Sequence, residues 1–204
     1  MALLTAAEAR FYIRGLAGTA EDTALDALIS RVGAAFARWC GYPAPDSTSD
    51  PTLETAAYTR YYDGPDPADS RVLRLGIWPV QSVASIYDDP TWDYGASHLV
   101  DSADYDLDAE GGLVLLKPDS SHGRWSRGYR AIKATFTAGY STVPSDLKHA
   151  CGLQVAHIWK GRDSIGVKSV SEAGVSISPL SMRLLPEVRQ LLAPYRLPGV
   201  FGAG

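Results

Sequence analysis

Leu25, Leu28, Ile29, Val32, Phe36, Trp39 and Cys40 recur at intervals of 3, 1, 3, 4, 3 and 1, which places seven apolar side chains on one stripe of a 3.6-residue period. The pattern predicts a long amphipathic helix, opened by the acidic first turn Thr19-Ala20-Glu21-Asp22 and stopped by Gly41. Ahead of it, Thr5 and Glu8 have the spacing of a capping box and predict a short helix through about Ala17. A second stripe, Leu147, Cys151, Val155, Ile158 and Trp159, follows Val143-Pro144-Ser145-Asp146 and runs to Gly161, so another helix is expected there. A last helix is expected from Ser181 to Leu192, interrupted or started by Pro186.

Between the helices the period changes. After the Pro-rich connection Tyr42 to Thr52, the chain to Tyr140 is rich in Tyr, Thr, Val and Trp and is punctuated by Gly, Pro and Asp, the pattern of short strands joined by turns. Strands are expected near Ala56–Tyr62, Arg71–Leu75, Val80–Tyr87, Tyr105–Leu107, Gly112–Leu116 and Tyr129–Thr137, with a hairpin at Gly111-Gly112 and a longer loop over Asp88–Ser97. Asp163–Ser178, with Gly, Ser and alternating Val or Ile, reads equally as a mobile hairpin or loop and as ordered strands. Helices at both ends with strands between them predict an α+β fold: a small helical core from the N- and C-terminal helices, with a β-rich middle insertion of short antiparallel strands. The expected organisation is one structural unit with residues 1–42 and 143–204 forming the core and its C-terminal arm, and 43–142 the insertion.

Composition narrows the chemistry. Of 204 residues, 46% are apolar, enough for a core without disulfides or metal. Nineteen basic against 23 acidic residues give a net charge of −4, which disfavours binding to nucleic acid through many phosphates. Cys40 and Cys151 sit in helical patterns without CxxC spacing and read as buried apolar residues of a reducing compartment. With no apolar run of about 18 residues, a soluble protein without a signal peptide is expected.

Candidate sites for chemistry are few. His149, Cys151 and His157 share a predicted helix, but residues two and eight apart do not converge on one ion, so packing is the better reading. His98 and His122 lie in expected loops and read as solvated, with a zinc site between them possible. Asp101, Asp104, Asp106 and Asp108 resemble a calcium loop in composition but lack its Gly and Glu positions and read as a charged strand edge. GxSxG, HExxH, GxGxxG and GxxxxGK[ST] are all missing, which makes an enzyme the weaker class. Trp39 and Trp159 belong to helix stripes; Trp92 and Trp125 are the candidates for a surface site such as a sugar-binding face.

An ordered series of segments resembles the head-tail connector, or adaptor, proteins of tailed bacteriophages and gene transfer particles. It comprises the opening LLTAAEARFYIRG, the helix ending Phe36-Ala-Arg-Trp-Cys-Gly41, the strand Pro79-Val80-Gln81-Ser82-Val83-Ala84-Ser85-Ile86, Tyr105-Asp-Leu-Asp, Phe136-Thr-Ala-Gly-Tyr140 with Val143-Pro-Ser-Asp-Leu-Lys-His-Ala150, and Leu191-Leu-Ala-Pro-Tyr-Arg196. Tyr12 replaces a basic residue usual in the opening, and Asp163–Ser178 matches no family motif. The resemblance implies a structural virion protein at the head-tail interface, in the host cytoplasm during assembly. It would form a twelve-fold homo-oligomeric ring docked below the portal protein, offer a face to a downstream neck or tail completion protein, and extend the channel for DNA. No cofactor, catalysis or membrane contact is implied. A net negative charge suits a channel that DNA slides through without specific binding. The alternative is a carbohydrate-binding or enzymatic α+β domain.

Leu191, Leu192, Tyr195, Arg196, Leu197, Val200 and Phe201 are the candidate partner-binding residues. Pro194, Pro198 and Gly199 interrupt this mostly apolar series and predict an extended arm that contacts the portal, with aromatic anchors and Arg196 for a carboxylate. Otherwise the arm covers the chain's own β region.

Overall fold

The computed structural model describes residues 2–16, 18–65, 71–162, 170–172, 175–177 and 183–197. Its elements in chain order are α1 (Ala6–Arg10), α2 (Asp22–Cys40), β1 (Ala56–Tyr62), β2 (Val72–Arg74), β3 (Val80–Asp88), β4 (Tyr105–Asp108), β5 (Leu113–Leu116), β6 (Ile132–Ala138), α3 (Ser145–Gly161), β7 (Val170–Glu172), β8 (Val175–Ile177) and α4 (Pro186–Leu192). The fold is α+β, as expected, with its main sheets in the middle of the chain. It divides into two compact units: a helical unit of Met1–Cys40 with Val143–Arg196, and a β unit of Gly41–Thr142 with Leu197–Gly204.

In the helical unit, α2 and α4 both pack on α3. Leu25, Ile29, Val32, Phe36 and Cys40 of α2 are buried, as are Leu147, Cys151, Val155 and Trp159 of α3, while Leu28 and Ile158 are only half-buried. Burial pushes the Cys40 thiol up to about 12, so the side chain behaves as a small apolar group. Gly152 lets the Tyr12 ring lie against α3, because a Cβ there would stand 2.4 Å from a ring carbon. Gln154, 1% exposed, accepts from the Leu185 amide at 3.0 Å and so supplies a partner to the start of α4, where no side chain of the helix's own caps it. The capping box of α1 is present: Thr5 Oγ1 accepts from the Glu8 amide at 3.2 Å, and Glu8 Oε2 accepts from the Thr5 amide at 2.9 Å. The helix nonetheless ends at Arg10 rather than near Ala17. The amides of Phe11, Tyr12 and Ile13 reach back only three residues, the tighter geometry of a terminating turn, and Ile13 is buried.

In the β unit, β6 is the centre of an antiparallel sheet of order β1-β6-β3, and β5 of a second, β2-β5-β4. Burial alternates along β6, with Ile132, Ala134, Phe136 and Ala138 inside. Register explains the Pro-Val-x-Ser-Val-x-x-Ile segment. Val80, Val83 and Ile86 are three apart, yet they pair with Ala138, Phe136 and Ala134, which are two apart, because irregularities fall at Val80/Ser82 and Val83/Ser85. Each bulge inserts one residue and returns the next apolar side chain to the same face. Gly139 holds φ +108°, and a Cβ there would meet the Glu54 carbonyl oxygen at 2.2 Å, so the Phe136–Tyr140 segment needs glycine at its fourth position. The expected hairpin at Gly111-Gly112 joins β4 to β5. The stretch open to either reading contains the paired strands β7 and β8.

Candidate interaction surfaces

The C-terminal series is less extended than its prolines suggest. Leu191 and Leu192 complete α4, and Ala193–Tyr195 continue it as a 3₁₀ turn, since Pro194 lacks only an amide that a first turn can do without. Leu192 is 0% exposed and its carbonyl accepts from Cys40 Sγ at 3.8 Å. Tyr195 donates its hydroxyl to Asp146 Oδ1 at 2.5 Å, and the Arg196 guanidinium lies 4.9 Å from the centre of the Trp39 ring. Leu197 is buried. The expected extended arm therefore begins no earlier than Leu197, because residues 191–196 complete the helical unit. Val200 and Phe201 lie outside the described residues.

A different surface is exposed. In the β unit, Trp92 and Tyr129 are 58% and 68% exposed, and with Tyr61, Tyr94 and Arg130 they line a depression of about 290 Å³. The site is built from below. Asp89, fully buried, accepts from the amide and hydroxyl of Thr91 and from the amides of Asp93 and Tyr94, at 2.6 to 2.8 Å. Burial opposes ionisation of this carboxyl, but those donors outweigh it and hold the group well below the usual carboxylate range. The loop closes over this anchor. Trp92 Nε1 donates to the Tyr129 carbonyl at 2.7 Å, and Tyr94 donates its hydroxyl to the Arg130 carbonyl at 2.6 Å. Trp92, Tyr94 and Arg130 all hold positive φ, at 67°, 50° and 51°, a conformation that costs non-glycine residues energy and persists where surroundings impose it. The Arg130 guanidinium stacks 4.1 Å from the Tyr61 ring centre, and Lys133 Nζ lies 5.5 Å from the Tyr94 ring centre.

Buried Asp88 roots the neighbouring loop, accepting from the Ser126 amide at 2.9 Å and pairing with His122 Nε2 at 2.5 Å. His122 is thus a half-buried partner of a carboxylate and not a solvated loop residue, and His98 stands 3.8 Å from Asp89. Trp125, expected as a surface candidate, is 1% exposed and donates to the Arg71 carbonyl; the loop's hydrogen bonding turns it inward and leaves Tyr129 outside. His149 is exposed beside Tyr12, with 3.3 Å between Nδ1 and the hydroxyl. The aspartates read as a strand edge are mostly turn formers: Asp101 accepts from the Ala103 amide, Asp108 from the Gly111 amide, and Asp104 from Ser121. Among the described residues no three His, Cys, Asp or Glu side chains converge as metal ligands, and no helix is long and apolar enough to cross a membrane.

The family of head completion proteins matches residues 2–197. The chain belongs to the head completion protein family. The expected kinship with head-tail connector proteins holds. Solved structures agree in fold. The chain is similar to one in the neck of an empty gene transfer agent (GTA) particle computed with C6 symmetry, at 17% identity and a TM-score of 0.54, over 97% of this chain and 91% of that one. It is similar to one in the virion of a native GTA particle at 18% and 0.55, over 97% and 91%. A third, in the neck of a native GTA particle computed with C12 symmetry, gives 17% and 0.54, over 97% and 90%. Comparison with curated proteins finds no match.

Proposed function

We propose that this head completion protein assembles as a twelve-fold ring below the portal, extends the DNA channel, and presents its far face to a neck or tail completion protein. The observation that carries the reading is the family match over residues 2–197, supported by a shared fold with chains from particle necks along nearly the whole length. Its work on this reading is architectural, and the polar clusters described above serve turns and loop anchors. Assembly takes place in the host cytoplasm before the ring is locked into the virion. The net charge of −4 leaves passing DNA free to slide. Portal contact belongs to the end of the chain, from Tyr195, Arg196 and Leu197 through Val200 and Phe201, with Leu191 and Leu192 holding the base of that segment in the helical unit.

Negative-stain imaging of the protein mixed with its portal tests this. Rings stacked on the portal are the expected result; a protein that stays monomeric or dimeric and free of the portal under all conditions overturns it. Removing residues 198–204 addresses the docking segment separately. The helical unit ends at Arg196, so its melting should be unchanged while portal association is lost.

A further inference from the structure

A ring built from one kind of subunit needs two different faces that fit each other, because head-to-tail contacts are heterologous. The β unit carries two surfaces of opposite sign. The first is the aromatic depression and the loop beside it. Segment 122–133 contains Arg124, Arg127, Arg130 and Lys133 and no acidic residue. Arg124 and Arg127 are exposed and, among the described residues, neither has an ion-pair partner. Tyr129, two residues after Arg127, meets Trp92 edge to face with 6.5 Å between ring centres, held by the strained and anchored backbone already described. The second surface is β4, an edge strand of its sheet, with the turns that flank it. Asp101, Asp106, Asp108 and Glu110 are all exposed, and Lys117, 3.5 Å from Asp106, is the one basic side chain paired with them among the described residues.

We infer that the Arg124/Arg127 loop and the Trp92–Tyr129 aromatics of one copy receive the acidic β4 edge of the next copy in the ring. The inference rests on the ring proposed above and assigns its subunit contact. Aromatic rings supply large apolar area at small conformational cost and arginines supply forked donors for carboxylates. The β4 carboxylates keep an uncovered edge from pairing with itself, and beyond the single Lys117–Asp106 pair they find their complement on the basic face of a neighbour. Asp93 is the single exposed carboxylate in the 89–94 and 122–133 segments; it lies against Gly95.

Charge exchange tests the contact, with ring formation read by negative stain in the presence of portal and by cross-linking. Arg124→Glu with Arg127→Glu reverses the basic face; Asp106→Lys with Glu110→Lys reverses the acidic one. Each pair alone should raise the concentration needed for rings about tenfold or more, as unmatched charges do at an interface. Carrying all four in one chain should bring assembly back. Mixing the two reversed proteins brings an all-acidic chain against an all-basic one, so every contact of an alternating ring is complementary and the mixture should form rings where neither protein does alone. Melting curves serve as the folding control, and Arg124→Gln with Arg127→Gln replaces the reversal if that variant is destabilised. If wild type forms rings and either reversed protein does so equally well, the contact is wrong and the ring stands. If the four-fold exchange assembles no better than its parts, the contact is also wrong. A wild type that never forms rings removes the ring and the contact together. Binding of a short DNA duplex that R124E/R127E loses while its rings persist would mean that the basic face serves nucleic acid instead.

Discussion

The chain's C-terminal segment and the aromatic loops of the β unit both carry exposed-looking aromatic and apolar residues in sequence and meet opposite fates. Leu191, Leu192, Tyr195 and Leu197 form an apolar series broken by proline, yet Leu192 and Leu197 are buried and Tyr195 is bonded to Asp146. Trp92 and Tyr129 lie in short polar stretches and stand out into solvent. The difference lies in what the backbone is bonded to. α4 and the 3₁₀ turn after it have ordinary torsion angles, so Leu192 faces inward on the helix while Ala193 and Pro194 stay outside. The 89–94 loop is folded around a buried carboxylate that takes four donors, and that demand is met with positive φ at Trp92 and Tyr94, which turns the indole outward. Apolar content alone does not mark an interaction surface; a costly backbone held by buried polar anchors does.

The largest expected effect is in the helical unit. Phe36→Ala removes a fully buried ring from α2 and should cost about 3–5 kcal/mol by denaturant unfolding; a loss of less than about 1 kcal/mol would place the stripe outside the core. Leu192→Ala should follow at about 2–5 kcal/mol. That value separates the two regions, because a docking residue would weaken portal binding at unchanged stability. In the β unit, Asp89→Ala leaves the Thr91, Asp93 and Tyr94 amides without their acceptor. Hydrogen exchange at Asp93 and Tyr94 should accelerate well before global unfolding, and unchanged protection would mean that the anchor does not hold the loop.

Acid should act on both units with the same sign. Glu8, which caps α1 and accepts from Lys148 at 2.9 Å, has its carboxyl lowered from 4.5 to about 2, chiefly by the Thr5 amide and then by Lys148. A depressed folded-state value contributes stability above pH 4.5 that is lost as pH falls toward 2. Glu8→Gln should flatten that limb in a pH titration of melting temperature, by a small amount because the pair is partly exposed. The smallest effect is expected at the surface: Tyr129→Ala should change stability by no more than about 0.5 kcal/mol. A larger loss would make the ring part of the fold and not part of an exposed face.

Much of the architecture was legible in the chain. β1 and α3 were recovered because period-2 and period-3.6 patterns are local and their ends carry turn or cap signals; the bounds of the strands follow the positions of Gly, Pro and Asp. The α2 stripe is real because seven side chains share one face. What escaped depends on distant partners. The bulges that bring Val80, Val83 and Ile86 onto one face are defined only against β6. Gln154 looks like any helix polar residue until the amide of Leu185 is brought to it. Trp92 and Trp125 are both loop tryptophans in sequence, and only the Asp88 and Asp89 anchors decide which faces out. The arm is shorter than its prolines predict, because Pro194 fits inside the first turn of the 3₁₀ segment Ala193–Tyr195.

The central proposal is that this head completion protein is a ring-forming subunit of the neck. Its most direct test is to place a site-specific gold label on the protein in assembled particles and image where the label lies. The account expects label only at the junction of head and tail, in a ring with twelve copies per particle. Label spread over the capsid or along the tail, or particles that complete and retain DNA without the protein, would contradict it.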